Sequence, residues 1–370
     1  MAARPLCASA RRGGRVAAAL GRDWSDGCVG ANSVLSHRKG EGMSETITAE
    51  AAALSGVQAP ILTLTLNPAL DMATEVPEML AGQKLRCADP HLDPGGGGLN
   101  VSRAIKHLGG DSLALVALGG LTGDRLAGLI RAEGIIFLSL LGPGETRQSL
   151  TVTESATGKQ FRFMLPGPVW SEADRHGVFT LLSATARPGG YSVISGSQPP
   201  GVPVDFNAQL AASMEGSHIV LDTSGAALRE VVKRPIPGLS VLRMDGEEGE
   251  ELAGHKLETR KDTADFASSL VAKGVAKMVI IARGAEGNVL AEAGRRLFAP
   301  APKVKVKSTV GAGDSFVAAF VLALARSQGA DDALSLGTAA AAAAVTTLAT
   351  QLCRAEDVMR LLPYAEAVEI

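Results

Sequence analysis

The sequence predicts an α/β fold: a mainly parallel sheet covered by helices, with a small accessory β-sheet beside it. Three observations predict it. Short apolar runs of strand length recur from Ile61 onward, segments with helical spacing alternate with them, and two stretches interrupt that rhythm with period-two alternation. Alternating strands and helices pack most simply as a parallel sheet with helices on its faces.

The elements follow in order. ILTLTL from Ile61 is a short strand, and LALVALG from Leu113, GIIFLSLLG from Gly134, YSVISGS from Tyr191, HIVLDTSG from His218, LSVLRM from Leu239 and KMVIIARG from Lys277 are further buried strands ending in small or polar residues. Between them Val101, Ala104, Ile105 and Leu108, then Leu126, Leu129 and Ile130, carry helical spacing. AGQKLRCADPHLDPG, after the first strand, and Thr146 to Gly167, around the turn ATGK, alternate polar and apolar residues as hairpins do. They predict a lid built from about 71–93 and 146–166, placed beyond the carboxyl ends of the strands where ligands of open α/β sheets sit.

Composition narrows the function. The 370 residues are 46% hydrophobic and 20% charged with net charge −2, enough to bury a large core. No basic run is interleaved with aromatics, so neither nucleic acid nor an anionic membrane is the expected partner. Cys7, Cys28, Cys87 and Cys353 form no CxxC pair and the six histidines no HExxH, which predicts a reducing cytoplasm and no structural zinc. The alanine- and threonine-rich tract around Thr338 to Leu348 is too short and too weakly apolar to span a bilayer. Residues 1–58 stand apart: Arg4, Arg11, Arg12, Arg15, Arg22 and Arg38 face few acids, without apolar periodicity or a signal-peptide core. They read as a disordered extension or a start assigned upstream of Met43, with an organellar transit peptide as the other reading; the folded domain is expected at 59–366.

The chemistry lies in three glycine-rich turns after strands, DPGGGGLNVSRAIKHLGG, SGSQPPG and STVGAGDSF. None is a GxxxxGK[ST] or a GxGxxG, which removes the two commonest glycine-loop readings. A helix start offers free N–H groups and a positive dipole end, and glycine lets a phosphate approach the backbone. Gly311, Ala312 and Gly313 are therefore a candidate anion hole. Asp314, opening the helix that carries Phe316, Phe320 and Leu324, stands beside it as the candidate base for an attacking hydroxyl. A plain helix N-cap is the alternative for Asp314.

GGGGLNVSRAIKHLG and STVGAGDSF together resemble the two signatures of the phosphofructokinase-B, or ribokinase-like, family of sugar kinases, over about Ile61 to Pro363. LTLNPALD, KLRC, PGGGGLNV, TRQ, SGSQPPGV and LDTSG, with Ser308 where aspartate is usual, resemble the branch that holds the bacterial minor 6-phosphofructokinases. The resemblance implies a three-layer α/β/α sandwich, ATP and Mg²⁺, and a phosphorylated ketohexose, most simply fructose 6-phosphate, as substrate. 1-Phosphofructokinase and tagatose-6-phosphate kinase share these motifs, and a catalytically impaired sugar-phosphate-binding regulator is the reading from another class.

Residue by residue, the resemblance implies that Asp71, Asn100, Gly96 and Gly97 bind sugar hydroxyls. Arg147, Ser197 and Lys84, with Arg86 nearby, would hold the phosphate already on the substrate, as guanidinium forks suit phosphate. A turn for Asp71, a helix cap for Asn100 and a solvated strand edge for Lys84 and Arg86 are the alternatives. The lid would pair with its copy in a homodimer, Lys84 then serving the neighbour's site. On the nucleotide side RMDGEE stands where the family has Lys-Pro-Asn-x-x-Glu, so Arg243, Met244, Asp245 and Glu248 fill those places, with Asp245 and Glu248 toward Mg²⁺. Gly284 and Gly287 would belong to the nucleotide loop, with Ala282 where a hydroxyl is common. The helix beside the adenine lacks the family's Asn and Gly, and its six-alanine run reads as close helix packing.

Overall fold

Ile61–Thr65 forms β1, buried along its whole length, because it lies inside the sheet with a helix layer on each face. Its alternation divides two cores: Ile61 packs with one apolar cluster and Leu62 and Leu64 with another, while the Thr63 and Ser102 hydroxyls share a buried hydrogen bond of 2.7 Å. The computed structural model describes residues 58–348 and 350–370. The extension read at 1–58 therefore lies, apart from Gln58, outside the described residues.

Beyond β1 the strands are β2 (Ala69–Val76), β3 (His91–Gly95), β4 (Leu113–Leu118), β5 (Phe137–Leu141), β6 (Arg147–Glu154), β7 (Gln160–Met164), β8 (Tyr191–Ser195), β9 (His218–Asp222), β10 (Val241–Met244), β11 (Met278–Ala282), β12 (Gly287–Glu292), β13 (Arg295–Pro300) and β14 (Val368–Glu369). The larger sheet has ten strands in the order β14-β13-β12-β11-β10-β9-β8-β1-β4-β5. From β11 to β5 every pairing is parallel, with Leu64 opposite both Leu115 and Ile194, whereas β12, β13 and β14 extend the sheet antiparallel. The β12–β13 hairpin turns through Ala293 and Gly294, the latter at φ 74.

Ten helices are described: α1 (Gly97–His107), α2 (Gly120–Ala132), α3 (Glu172–Thr185), α4 (Phe206–Ala212), α5 (Gly225–Lys233), α6 (Gly246–Ala253), α7 (Arg260–Ala272), α8 (Ala312–Ala325), α9 (Ala330–Ala344) and α10 (Ala355–Leu361). Val101 and Ile105 of α1 share one core with α8 and α9, while Leu182 of α3, Phe206 of α4, Val231 of α5 and Leu270 of α7 build the core on the opposite face, giving three layers. α8 is apolar nearly all round because it is buried nearly all round. Burial of Phe316 and Phe320 contributes about 2 kcal/mol each. Small residues of α9 face α8 closely, Ala339, Ala340 and Ala343 lying in the same buried cluster as Phe316, and an added Cβ on Gly337 would meet Phe316 Cε2 at 2.9 Å.

The second sheet has four strands in the order β3-β2-β6-β7, and pairs Asp71 with Asp93 and with Ser149. Of the two stretches read as hairpins, 146–167 folds as β6 and β7. In the other only His91–Gly95 is strand, and residues 77–90 form a loop that the Glu154 carboxylate holds through the Met79 N–H at 2.8 Å. No described helix is long and apolar enough to cross a membrane.

Candidate active site

The glycines of the first cluster bring α1 against the sheet. An added Cβ at Gly98 would stand 2.3 Å from the Leu64 carbonyl oxygen, at Gly97 2.5 Å from Ser195 Oγ, at Gly96 2.6 Å from Thr65 Cγ2, and at Gly95 2.0 Å from Asp71 Oδ2. Only residues without side chains let the helix start this close to the ends of β1 and β8, and that approach places Asn100 on the floor of the site.

A pocket of about 270 Å³ forms there, walled by Asp71, Gly96, Gly97, Asn100, Arg147, Ser197, Gly311 and Asp314. Eight residues named from the sequence, from five separate segments, thus meet in one place. Asn67, Ser149, Arg162 and Ser195 are among the others that line it and were not named. Arg162 and Met164 alternate with Phe161 and Phe163 on β7, so the hairpin turns one cation inward, and Thr151 opposite Arg162 shows the register that puts it there.

Asp314 does not cap its helix. The N-cap of α8 is Gly311, left-handed at φ 75, and no side chain caps it. Asp314 instead accepts from Asn100 Nδ2 at 2.9 Å. Burial pushes its carboxyl up to about 6; the Asn100 bond and Arg243 oppose the rise, and Asp222 and Asp71 add to it. Asn100 does not cap α1 either, whose N-cap is Gly96. Asp71 lies in β2, not a turn: Ser149 donates to it, and its pKa is raised by burial against the opposing Ser149 bond and Arg147 charge. Arg147 donates from Nε to the Asn67 carbonyl at 3.1 Å, and Asn67 Nδ2 donates to Ser197 Oγ at 3.1 Å.

On the other side of the α8 start lies a cleft of about 1050 Å³, lined by Arg243, Asp245, Ala282, Gly284, Ala312, Gly313, Thr338 and Ala342 among others. Arg243 is paired with Asp222 at 3.2 Å and lies so near the helix start that an added Cβ on Gly313 would meet its Nη1 at 3.0 Å. Asp245 and Glu248 cap α6 reciprocally: Asp245 Oδ1 accepts from the Glu248 N–H at 2.9 Å, and Glu248 Oε2 from the Asp245 N–H at 2.8 Å. Glu248 is half-buried outside the cleft wall, its pKa raised by burial. No group of three ligand side chains that could hold a metal occurs among the described residues.

Four further named positions lie elsewhere. Lys84 and Arg86 are exposed in the 77–90 loop and line neither pocket. Gly287 is absent from the cleft wall; at φ 134 it presses against β13, where a Cβ would meet the Ala299 carbonyl oxygen at 2.1 Å. Met244, fully buried, belongs to the core.

The model of the pfkB family carbohydrate kinases matches residues 65–357. The chain belongs to that family. Among similar pfkB proteins, the ATP-dependent 6-phosphofructokinase isozyme 2 of Mycobacterium tuberculosis is 38% identical over 309 residues, 82% of this chain and 89% of that enzyme. The 1-phosphofructokinase of Xanthomonas campestris is 33% identical over 307 residues, covering 82% and 93%. A crystal structure of phosphofructokinase-2 from Escherichia coli in complex with substrates and products superposes with a TM-score of 0.78 at 36% identity, covering 83% of this chain and 99% of that one. The ribokinase of Arabidopsis thaliana, at 19% identity and a TM-score of 0.62, shares the fold. The ribokinase-like sandwich expected from the motifs is thus present, and the protein is a phosphate-transferring sugar kinase of the pfkB family.

Proposed function

We propose that this kinase transfers the γ-phosphoryl group of ATP to fructose 6-phosphate, giving fructose 1,6-bisphosphate and ADP. The observation that carries the reading is the meeting of the two pockets at one helix start: Gly311 and Asp314 face the small polar pocket, Ala312 and Gly313 the large cleft. ATP takes the large cleft and the sugar phosphate the small pocket, whose two guanidinium groups, Arg147 and Arg162, suit the phosphate it already carries. The free hydroxyl oxygen forms its bond to the γ-phosphorus as the bond to the ADP oxygen breaks, and the hydroxyl proton passes to Asp314. The first-turn N–H groups of α8 and the Arg243 charge stabilise the transferring phosphoryl.

Mg²⁺ fits as an ion held largely by nucleotide phosphates and water, since Asp245 and Glu248 each keep one carboxylate oxygen outside the capping box. Asp245, on the cleft wall, would hold it, and the ion would neutralise phosphate charge.

The four-stranded sheet acts as the lid, with Gln160 at its tip accepting from the Ser308 hydroxyl at 3.4 Å. The exposed Phe161 and Phe163, on the β7 face opposite Arg162, support pairing of two lids in a homodimer, in which the exposed Lys84 and Arg86 are free to serve the neighbour. The unpaired Cys87 and Cys353 suit a cytoplasmic setting.

A coupled ADP-release assay with Mg·ATP, comparing fructose 6-phosphate, tagatose 6-phosphate, fructose 1-phosphate and fructose, tests the substrate. Preference for fructose 6-phosphate is expected. Preference for fructose 1-phosphate would reassign the acceptor, and binding without turnover would make the protein a sugar-phosphate-binding regulator.

A further inference from the structure

Asn100 is held at both ends of its carboxamide. Its Nδ2 donates to Asp314 Oδ2 at 2.9 Å, and its Oδ1 accepts from Arg103 Nη1 at 3.2 Å. The two residues are three apart on α1 and so share a helix face. Arg103 is 4% exposed and fixed from several directions: Nε and Nη2 grip the Glu133 carboxylate at 2.7 and 2.8 Å, Nη1 donates to the Pro94 carbonyl at 2.9 Å, and Nη2 lies 3.4 Å from Asp93 Oδ1. A guanidinium only donates, so the amide oxygen must face it. The opposite flip would set amide hydrogens against the guanidinium and amide oxygen against the Asp314 carboxylate.

We propose that Arg103 is a positioning residue for phosphoryl transfer, locking the Asn100 amide with its NH₂ toward Asp314 and so setting how readily Asp314 takes the proton of the attacking hydroxyl. The inference rests on the reading of Asp314 as the base. The other charges facing Asp314 are Asp222 of β9, Arg243 of β10 and Asp71 of β2; those facing Arg103 are Asp93, itself 3.1 Å from His91, and Glu133. The Asn100 bond favours the ionised form of Asp314. A cation on the far side of the amide strengthens that donor.

The test compares the pH dependence of kcat in the full-length enzyme and in Arg103→Met/Glu133→Gln, which removes one charge of each sign and keeps the net charge. The ascending limb is expected to move up by about one pH unit, with KM for the phosphosugar within about twofold. A limb unmoved in the folded double variant overturns the proposal. If that variant fails to fold, Arg103→Lys reads the same quantity, since lysine supplies a charge without the fork; there too an upward shift is expected, and none overturns it. Asp314→Asn separates the two readings. Turnover surviving in that variant removes the base itself, whereas lost turnover together with an unmoved limb in the Arg103 variants removes only the positioning role.

Discussion

Asn100 and Asp314, 214 positions apart in the chain, share a 2.9 Å hydrogen bond that joins the starts of α1 and α8 where the two pockets meet. The bond ties the two glycine clusters into one site. It also sets the balance at Asp314 between burial, which disfavours the carboxylate, and the amide, which favours it.

Asp314→Asn separates function from stability. Turnover is expected to fall about 10³-fold while KM for the phosphosugar changes within about threefold, because the isosteric amide cannot take a proton. The stability effect has the opposite sign. The folded pKa of about 6 lies above the ordinary 3.8, so between these values the native state binds more protons than the unfolded one, and stability falls as pH rises through that window. The variant should therefore be more stable than wild type at pH 8, by roughly 2 kcal/mol, and no more stable at pH 3.5. Urea unfolding at the two pH values checks it. A loss of stability at pH 8 would contradict a buried, destabilised carboxylate.

Arg162→Ala should raise KM for fructose 6-phosphate about 10- to 100-fold with kcat held within a few-fold, since a charge-assisted contact to a phosphate is lost without touching the base. The same change should leave any turnover of unphosphorylated fructose almost unaltered. Equal effects on both sugars would mean that Arg162 serves the lid and not the phosphate.

Much of this was legible in the sequence, for a physical reason. Strands buried on both faces, such as β4 and β11, are continuous apolar runs, and a glycine cluster at a strand end marks a backbone approach. The β12–β13 hairpin was not read, although its two-residue Ala293-Gly294 turn between VLA and LFA carries the signal. Arg162 was missed because its face depends on the register of β7 against β6, and a slip of one residue would turn it outward. Asp245-x-x-Glu248 was read toward metal, yet the same spacing is that of a capping box. Lys84 and Arg86 lie in an irregular loop, so periodicity could not orient them.

Two glycines make opposite predictions from local space alone. At Gly98 a Cβ would stand 2.7 Å from Thr65 Oγ1 and 2.3 Å from the Leu64 carbonyl oxygen, and that backbone oxygen cannot yield without shifting β1. Gly98→Ala should therefore cost about 3 kcal/mol and lower turnover by displacing Asn100. Gly128 sits inside α2 with nothing within 4 Å of an added Cβ, so Gly128→Ala should stabilise by about 1 kcal/mol through helix propensity, with activity unchanged. Denaturant midpoints and kcat of the two variants check the pair, and a destabilised Gly128→Ala would refute the argument.

Asp245 separates capping from metal. Its side chain caps α6 by accepting from the Glu248 N–H, a role asparagine fills equally well, so Asp245→Asn should leave the unfolding free energy within about 1 kcal/mol. The charge is what the variant removes. If the carboxylate that lines the nucleotide cleft helps hold Mg²⁺ beside the phosphates, the Mg²⁺ concentration for half-maximal rate should rise about 3- to 10-fold. An unchanged Mg²⁺ requirement at unchanged stability would leave Asp245 as a helix cap alone. A reduced requirement would show that its charge repels the nucleotide, and the aspartate would then lower nucleotide affinity where the family's asparagine does not.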